Sequence, residues 1–121
     1  MLRQASLAIA LACCGAIVAI GARFLLLPQQ ATAAFGVTPG NIRALTAIKG
    51  VRDITSGIVP LVAWSMAGPR VFGWSMLAAS LTPVGDAIIV ITNGGELAQA
   101  LTVHGATAAV LIATSLVLIQ T

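Results

Sequence analysis

Apolar residues run along this chain in four long stretches separated by short polar breaks. The first runs from Ala5 to Leu27, interrupted only by Arg23, and the second from Ile42 to Ala67, carrying Lys49, Arg52 and Asp53. The third runs from Val71 to Thr92 with Asp86, and the fourth from Leu97 to Ile119 with His104. A helix needs about 20 apolar residues to cross a hydrocarbon core of about 30 Å, and each stretch is that long. Nothing alternates with the period of two that a membrane barrel requires, and the runs exceed strand length. The pattern predicts an all-α fold, a four-transmembrane-helix antiparallel bundle occupying residues 1–121 as a single domain.

The breaks agree with that reading. Ala67-Gly68-Pro69-Arg70 predicts a tight turn between antiparallel helices, and Thr92-Asn93-Gly94-Gly95 predicts another, with Glu96 in the first turn of the last helix. In the longer first connection, Pro28 opens a short interfacial helix that Gly36 stops. Thr38-Pro39 then reads as the N-cap and first residue of the second span. Internal repeats and low-complexity segments are not evident.

Composition identifies the solvent. Charged residues make up 7% of the 121 residues and hydrophobic ones 59%, with 12 glycines besides. Soluble domains carry about 25% charged residues. So few polar groups cannot cover a water-facing surface, because large exposed apolar patches drive association. That argues against a soluble enzyme, a disordered tail and a nucleic-acid module. The net charge of +3 comes from six scattered cations rather than a basic stripe. Cys13 and Cys14 are adjacent in a helix and read as small packing residues. The run they sit in continues to Ala22, which is too long for the core of a cleaved signal.

Orientation follows from the arginines. Arg3 and Arg70 lie on the side of the termini, and Arg23 and Arg43 flank the first loop on the other side. With Arg23 turned into the bundle, the positive-inside rule puts both termini in the cytoplasm, in a bacterial inner membrane. Trp64 and Trp74 bracket the second loop as an interfacial aromatic belt does.

The charges that remain inside the spans carry the functional signal, since ionisable side chains in lipid are costly and mark a site or a partner. Counted at 1.5 Å per residue, Arg23, Lys49, Arg52, Asp53, Asp86 and His104 all fall roughly 6–16 Å from the side of the first and third loops. Each helix also gathers its polar groups on one face. Lys49, Arg52, Asp53 and Ser56 are spaced i, i+3, i+4, i+7; Ser75, Ala79, Thr82, Asp86 and Asn93 form a second stripe, and His104, Thr107, Leu111 and Thr114 a third. Pro83 cannot donate to the carbonyl of Ala79, which predicts a kink and an unused acceptor nearby. Gly50, Gly57, Gly85 and Gly105 are expected to let helices approach closely beside these groups.

Three cations and two carboxylates would leave this cluster one positive charge in excess, and an uncompensated buried charge is expensive. Lys49 losing its proton, Glu96 reaching in, or an anionic or carbonyl-bearing group of a lipophilic ligand would each restore balance. In the ligand case His104, with Asp86 or Asp53 orienting it, is the candidate acid–base group. Arg23, Lys49, Arg52 and Asn93 are then the candidate ligand-binding residues. One His and two carboxylates beside three cations make a poor metal set, so no metal and no cofactor are expected.

These residues carry a resemblance over nearly the whole chain. Gly21-Ala22-Arg23-Phe24-Leu25 with Pro28, Phe35-Gly36-Val37, Lys49-Gly50-Val51-Arg52-Asp53-Ile54 with Ser56-Gly57, Pro83-Val84-Gly85-Asp86 and Val103-His104-Gly105-Ala106-Thr107 resemble the motifs of a membrane-protein family. It comprises small four-helix integral-membrane proteins of bacteria and fungi catalogued only as a domain of unknown function. The resemblance implies the fold and the site residues and supplies no activity.

Three functions stay open at this level. One is an intramembrane acid–base enzyme acting on a lipophilic substrate, of isomerase, cyclase or hydrolase type. Another is a small proton-coupled transporter, although the first span offers only Arg23 where small multidrug exporters need an acid. The third is a structural or accessory subunit whose buried ion pairs set helix register, with Lys49 and Asp53 pairing at i, i+4. The expected partners are membrane lipids, a lipophilic small molecule and a second copy of the chain, and not nucleic acid.

Overall fold

The computed structural model describes the backbone of residues 1–121 and every side chain except those of residues 10 and 13–15. The packing role expected of Cys13 and Cys14 therefore lies outside the described residues. All regular structure among the described residues is helical: α1 (Leu2–Leu26), α2 (Pro28–Phe35), α3 (Ile42–Ala79), α4 (Leu81–Thr92) and α5 (Leu97–Gln120). The chain divides into two compact units, Met1–Lys49 and Gly50–Thr121.

In the first unit, α1 gives way to α2 at a single residue. Leu27 leaves the helical region (φ −133°, ψ 63°), although its N–H still reaches the Arg23 carbonyl at 2.8 Å. Pro28 then opens α2, where its missing N–H costs nothing. Gly36 ends α2 with φ 102°, a conformation that needs no Cβ. Val37 N–H reaches back to the Thr32 carbonyl at 3.1 Å, and Gly36 N–H to that of Ala33 at 3.0 Å. These are the two crossing bonds of a Schellman cap, so the short helix has the start and stop its sequence predicts.

The start of α3 corrects an expectation. Thr38-Pro39 is not its cap. Gly40 has φ 92° and the Asn41 N–H bonds the Thr38 carbonyl at 3.1 Å, which with Pro39 before the glycine makes a type II turn. The cap is Asn41, whose Oδ1 accepts the Ala44 N–H at 3.1 Å. A proline followed by glycine favours the turn over the helix start, because the glycine must take a positive φ.

α3 is two helical arms. Gly68 breaks it with φ 84° and ψ −176°, a region open essentially to glycine alone, and leaves arms 42–67 and 69–79. The predicted turn thus closes on one residue, with Pro69 opening the second arm. The predicted third span is interrupted as well. Ser80 separates the second arm from α4, its hydroxyl donating to the Leu77 carbonyl at 2.6 Å, and Pro83 follows one turn later. Asn93, Gly94 and Gly95 end α4: Gly94 takes φ 80°, and the Gly95 N–H caps the Val90 carbonyl at 2.8 Å.

Close packing in the second unit falls where no sequence motif marked it. α4 runs against α5, and Gly73 in the second arm of α3 touches α5 near its end. A methyl group on Gly73 would stand 3.0 Å from the Ser115 carbonyl oxygen, the Leu118 Cβ and the Ile119 Cγ1. Gly50, Gly57 and Gly85 have no such neighbour within 4 Å, and Gly105 meets only its own helix, so these glycines do not mediate the close approach expected of them. Gly73 does so because α5 crosses the short second arm there.

Buried apolar residues among those described are small: Ala31, Ala100 and Ala108. The large ones point outward, with Leu25, Ile42, Met66 and Leu81 more than 70% exposed. Among the described residues two helical stretches are long and apolar enough to cross a membrane, Ile42–Thr92 and Leu97–Gln120, with mean hydropathy 1.6 and 1.9.

Candidate functional site

His104 sits in the one stretch of α5 that is not α-helical. Residues Ala100–Gly105 form a π-helical turn, closed by the Ala106 N–H on the Leu101 carbonyl five residues back. Such turns insert an extra residue and rotate the side chains that follow, and they recur at functional sites. Here the turn packs against α4 with Ala100 fully buried, and it presents His104 to Asp86. The His104 Nδ1 stands 4.0 Å from the Asp86 Oδ2, each side chain about 30% exposed. That is longer than a hydrogen bond.

A groove of about 380 Å³ opens one turn away in the same unit. Asp53, Ser56 and Gly57 from the first arm of α3 line it, with Phe72 and Met76 from the second arm, Thr82 from α4 and Leu111 from α5. The three polar stripes read from the sequence each contribute to it: Asp53 and Ser56 from the first, Ala79 and Thr82 from the second, Leu111 from the third. Asp86 lies four residues beyond Thr82, on the same side of α4. The volume is within the 300–1,000 Å³ of small-molecule sites, and one carboxylate and two hydroxyls in an apolar lining match their usual make-up.

Two prolines flank this groove. Pro60 and Pro83 have no N–H, so the carbonyls of Ser56 and Ala79 receive no i→i−4 bond. Ser56 and Ala79 also line a second groove of about 410 Å³, with Thr55, Pro60 and Ser75. Pro83 and its Ala79 acceptor were legible in the sequence; Pro60, Phe72 and Met76 were not, because their place follows from where the chain folds back.

The other candidate residues are each described in their own unit. Arg52 is exposed on the first arm, next to Asp53. Arg23 belongs to the first unit and lines a pocket with Phe24 and Phe35. Lys49 is exposed at the last position of that unit. Asn93 is exposed and turned onto its own helix, its Nδ2 donating to the Ile89 carbonyl at 2.8 Å. That bond makes it a cap for α4.

The charged groups expected inside the spans are not enclosed by the protein itself. Among the described residues no charged side chain is buried: Arg23, Lys49, Arg52 and Asp53 are exposed, and only Asp86 and His104 are part-covered. Among the described residues no group of three His, Cys, Asp or Glu side chains is placed to hold a metal ion.

Neither the curated proteins nor the solved structures contain a match to this chain. A family model does match, over residues 14–118, which takes in α2 to α4 whole, most of α1 and α5, and every candidate site residue. The chain belongs to the family described as Domain of unknown function (DUF4267).

Proposed function

We propose that this chain is a small polytopic membrane protein that holds a lipophilic small molecule in the groove of its second unit and acts on it by acid–base chemistry at His104. Four crossings account for the apolar pattern: α1, the first arm of α3, the second arm together with α4, and α5. The observation that carries the reading is the shared groove. Residues from three polar stripes line one opening of small-molecule size, with the His104–Asp86 pair a turn beyond it.

The roles follow from chemistry. Asp86 faces Nδ1 of His104, orients the ring and leaves Nε2 to take or give a proton. Arg52, beside Asp53 on the first arm, supplies a cation for an anionic or carbonyl-bearing head. Phe72, Met76 and Leu111 take the apolar body. Proton transfer at a carbon or oxygen next to a carbonyl needs nothing more than a positioned base and a stabilised oxyanion, so isomerisation or cyclisation suits the set best.

The experiment is gentle extraction followed by mass spectrometry of what co-purifies, repeated with Arg52→Ala and Asp86→Asn. A small apolar species bound to the wild type and lost or chemically altered in the variants supports the site. A species held equally by all three proteins places its binding elsewhere.

A further inference from the structure

The first unit holds a site of its own at the elbow between α1 and α2. Ile20, Arg23 and Phe24 on α1 are spaced i, i+3, i+4, and so are Ala31, Ala34 and Phe35 on α2. Together they line a pocket of about 210 Å³. The rings of Phe24 and Phe35 meet edge to face across the elbow, centroids 6.0 Å apart and planes at 75°. Ala31 and Thr32 are the buried residues of α2, the Thr32 hydroxyl donating to the Pro28 carbonyl of the same helix at 2.6 Å. Arg23 is thus the one charged residue in an otherwise apolar and aromatic lining.

Charge decides what fits. The first unit carries four of the six cations and none of the three acids, which are Asp53, Asp86 and Glu96. Arg23 therefore has no carboxylate within its unit. The pocket is smaller than the 300 Å³ or so where small-molecule sites begin, so it suits a headgroup and the start of a chain rather than a whole molecule. Its position fits as well, at the end of an apolar α1 where the short α2 turns off. A guanidinium fork matches phosphate oxygens two at a time, and its stem packs along apolar surface.

We propose that the Arg23 elbow is a binding site for an anionic phospholipid. The phosphate is received by the Arg23 guanidinium, and the first part of an acyl chain lies against Ile20, Phe24 and Phe35. The site rests on the membrane placement above but not on the chemistry at His104, so Asp86→Asn leaves it intact.

The test uses the full-length protein, delipidated in a neutral detergent, with phosphatidylglycerol and phosphatidylcholine added separately. Bound lipid is counted by native mass spectrometry and thermal stability is read in parallel. Phosphatidylglycerol binds and raises the melting temperature. Arg23→Gln weakens that binding about tenfold, Arg23→Lys less, and Arg43→Gln not at all; tenfold corresponds to about 1.4 kcal/mol. Inorganic phosphate neither stabilises the protein nor displaces the lipid. Equal binding of phosphatidylcholine, full binding by Arg23→Gln, or displacement by inorganic phosphate each overturns the proposal. Should Arg23→Gln not fold, Phe35→Ala must weaken phosphatidylglycerol binding while the protein's helix content is kept, or the elbow is not the site.

Discussion

His104 and Asp86 face each other at 4.0 Å across the packed pair α4 and α5, the imidazole presented by a π-helical turn and the carboxylate by a regular helix. The contact is local to one unit and leaves both side chains part-exposed. A pair whose only purpose was to hold two helices together would gain from closing to hydrogen-bond distance.

Removing the imidazole is the direct check on acid–base chemistry. His104→Gln keeps a polar group of similar size and loses the titrating ring, so turnover of the bound species falls about 100-fold or more. Cells expressing this variant yield protein loaded with the unreacted molecule, whereas the wild type yields the product. Identical mass spectra from the two proteins remove His104 from the reaction.

Gly73 sets how closely α5 approaches the second arm of α3. Gly73→Val forces side chains against the Ser115 carbonyl and destabilises the protein by about 1–3 kcal/mol. Gly85→Ala meets no atom within 4 Å and stabilises by about 0.5–1 kcal/mol through helix propensity. Denaturant titration followed by circular dichroism in detergent separates the two; a Gly73→Val protein as stable as wild type rules out the close contact.

Gly68 makes the fold-back of α3. Its φ of 84° with ψ −176° is strained for any residue with a Cβ, at about 1–3 kcal/mol. Gly68→Ala therefore lowers the unfolding midpoint, whereas Ala67→Ser, one residue earlier on an exposed helical position, leaves it unchanged. Equal midpoints for both variants contradict the turn.

The proposed four crossings put the Gly68 turn and the Gly94 turn on opposite sides of the membrane. In a background with Cys13 and Cys14 replaced by serine, Arg70→Cys and Glu96→Cys label with a membrane-impermeant thiol reagent from opposite faces of sealed vesicles. Labelling of both from one face excludes this topology.

Helix boundaries were legible wherever a local rule had a single outcome. Pro28 and Gly36 bounded α2, and the turns at Gly68 and Gly94 fell where glycine and proline were read. At Thr38 two local rules competed. A Thr-Pro pair suits a helix start, but Pro39-Gly40 suits a type II turn, and Asn41 was ready to cap the helix after it. The π-helical turn at Ala100–Gly105, which packs against α4, was not read from the sequence. Members of the three polar stripes line one groove. Their depth along the chain suggested a cluster within the membrane, and depth says nothing about whether another helix covers a side chain.

By itself the sequence determined the class of structure and its solvent preference. In lipid, apolar runs of this length that lack the period of two of a barrel satisfy their backbone only as helices. It also determined which faces of those helices are polar, because 3.6 residues per turn is a property of a single helix. Only the tertiary structure decided which of those polar residues meet. His104 reached Asp86, Asp53 reached a groove with Thr82, and Arg23 went to an elbow in the other unit. Contact between residues far apart in the chain depends on turn angles and on one small residue at a crossing. Gly73, flanked by nothing that marks it, did more to fix the packing of α5 than the glycines beside the charged motifs.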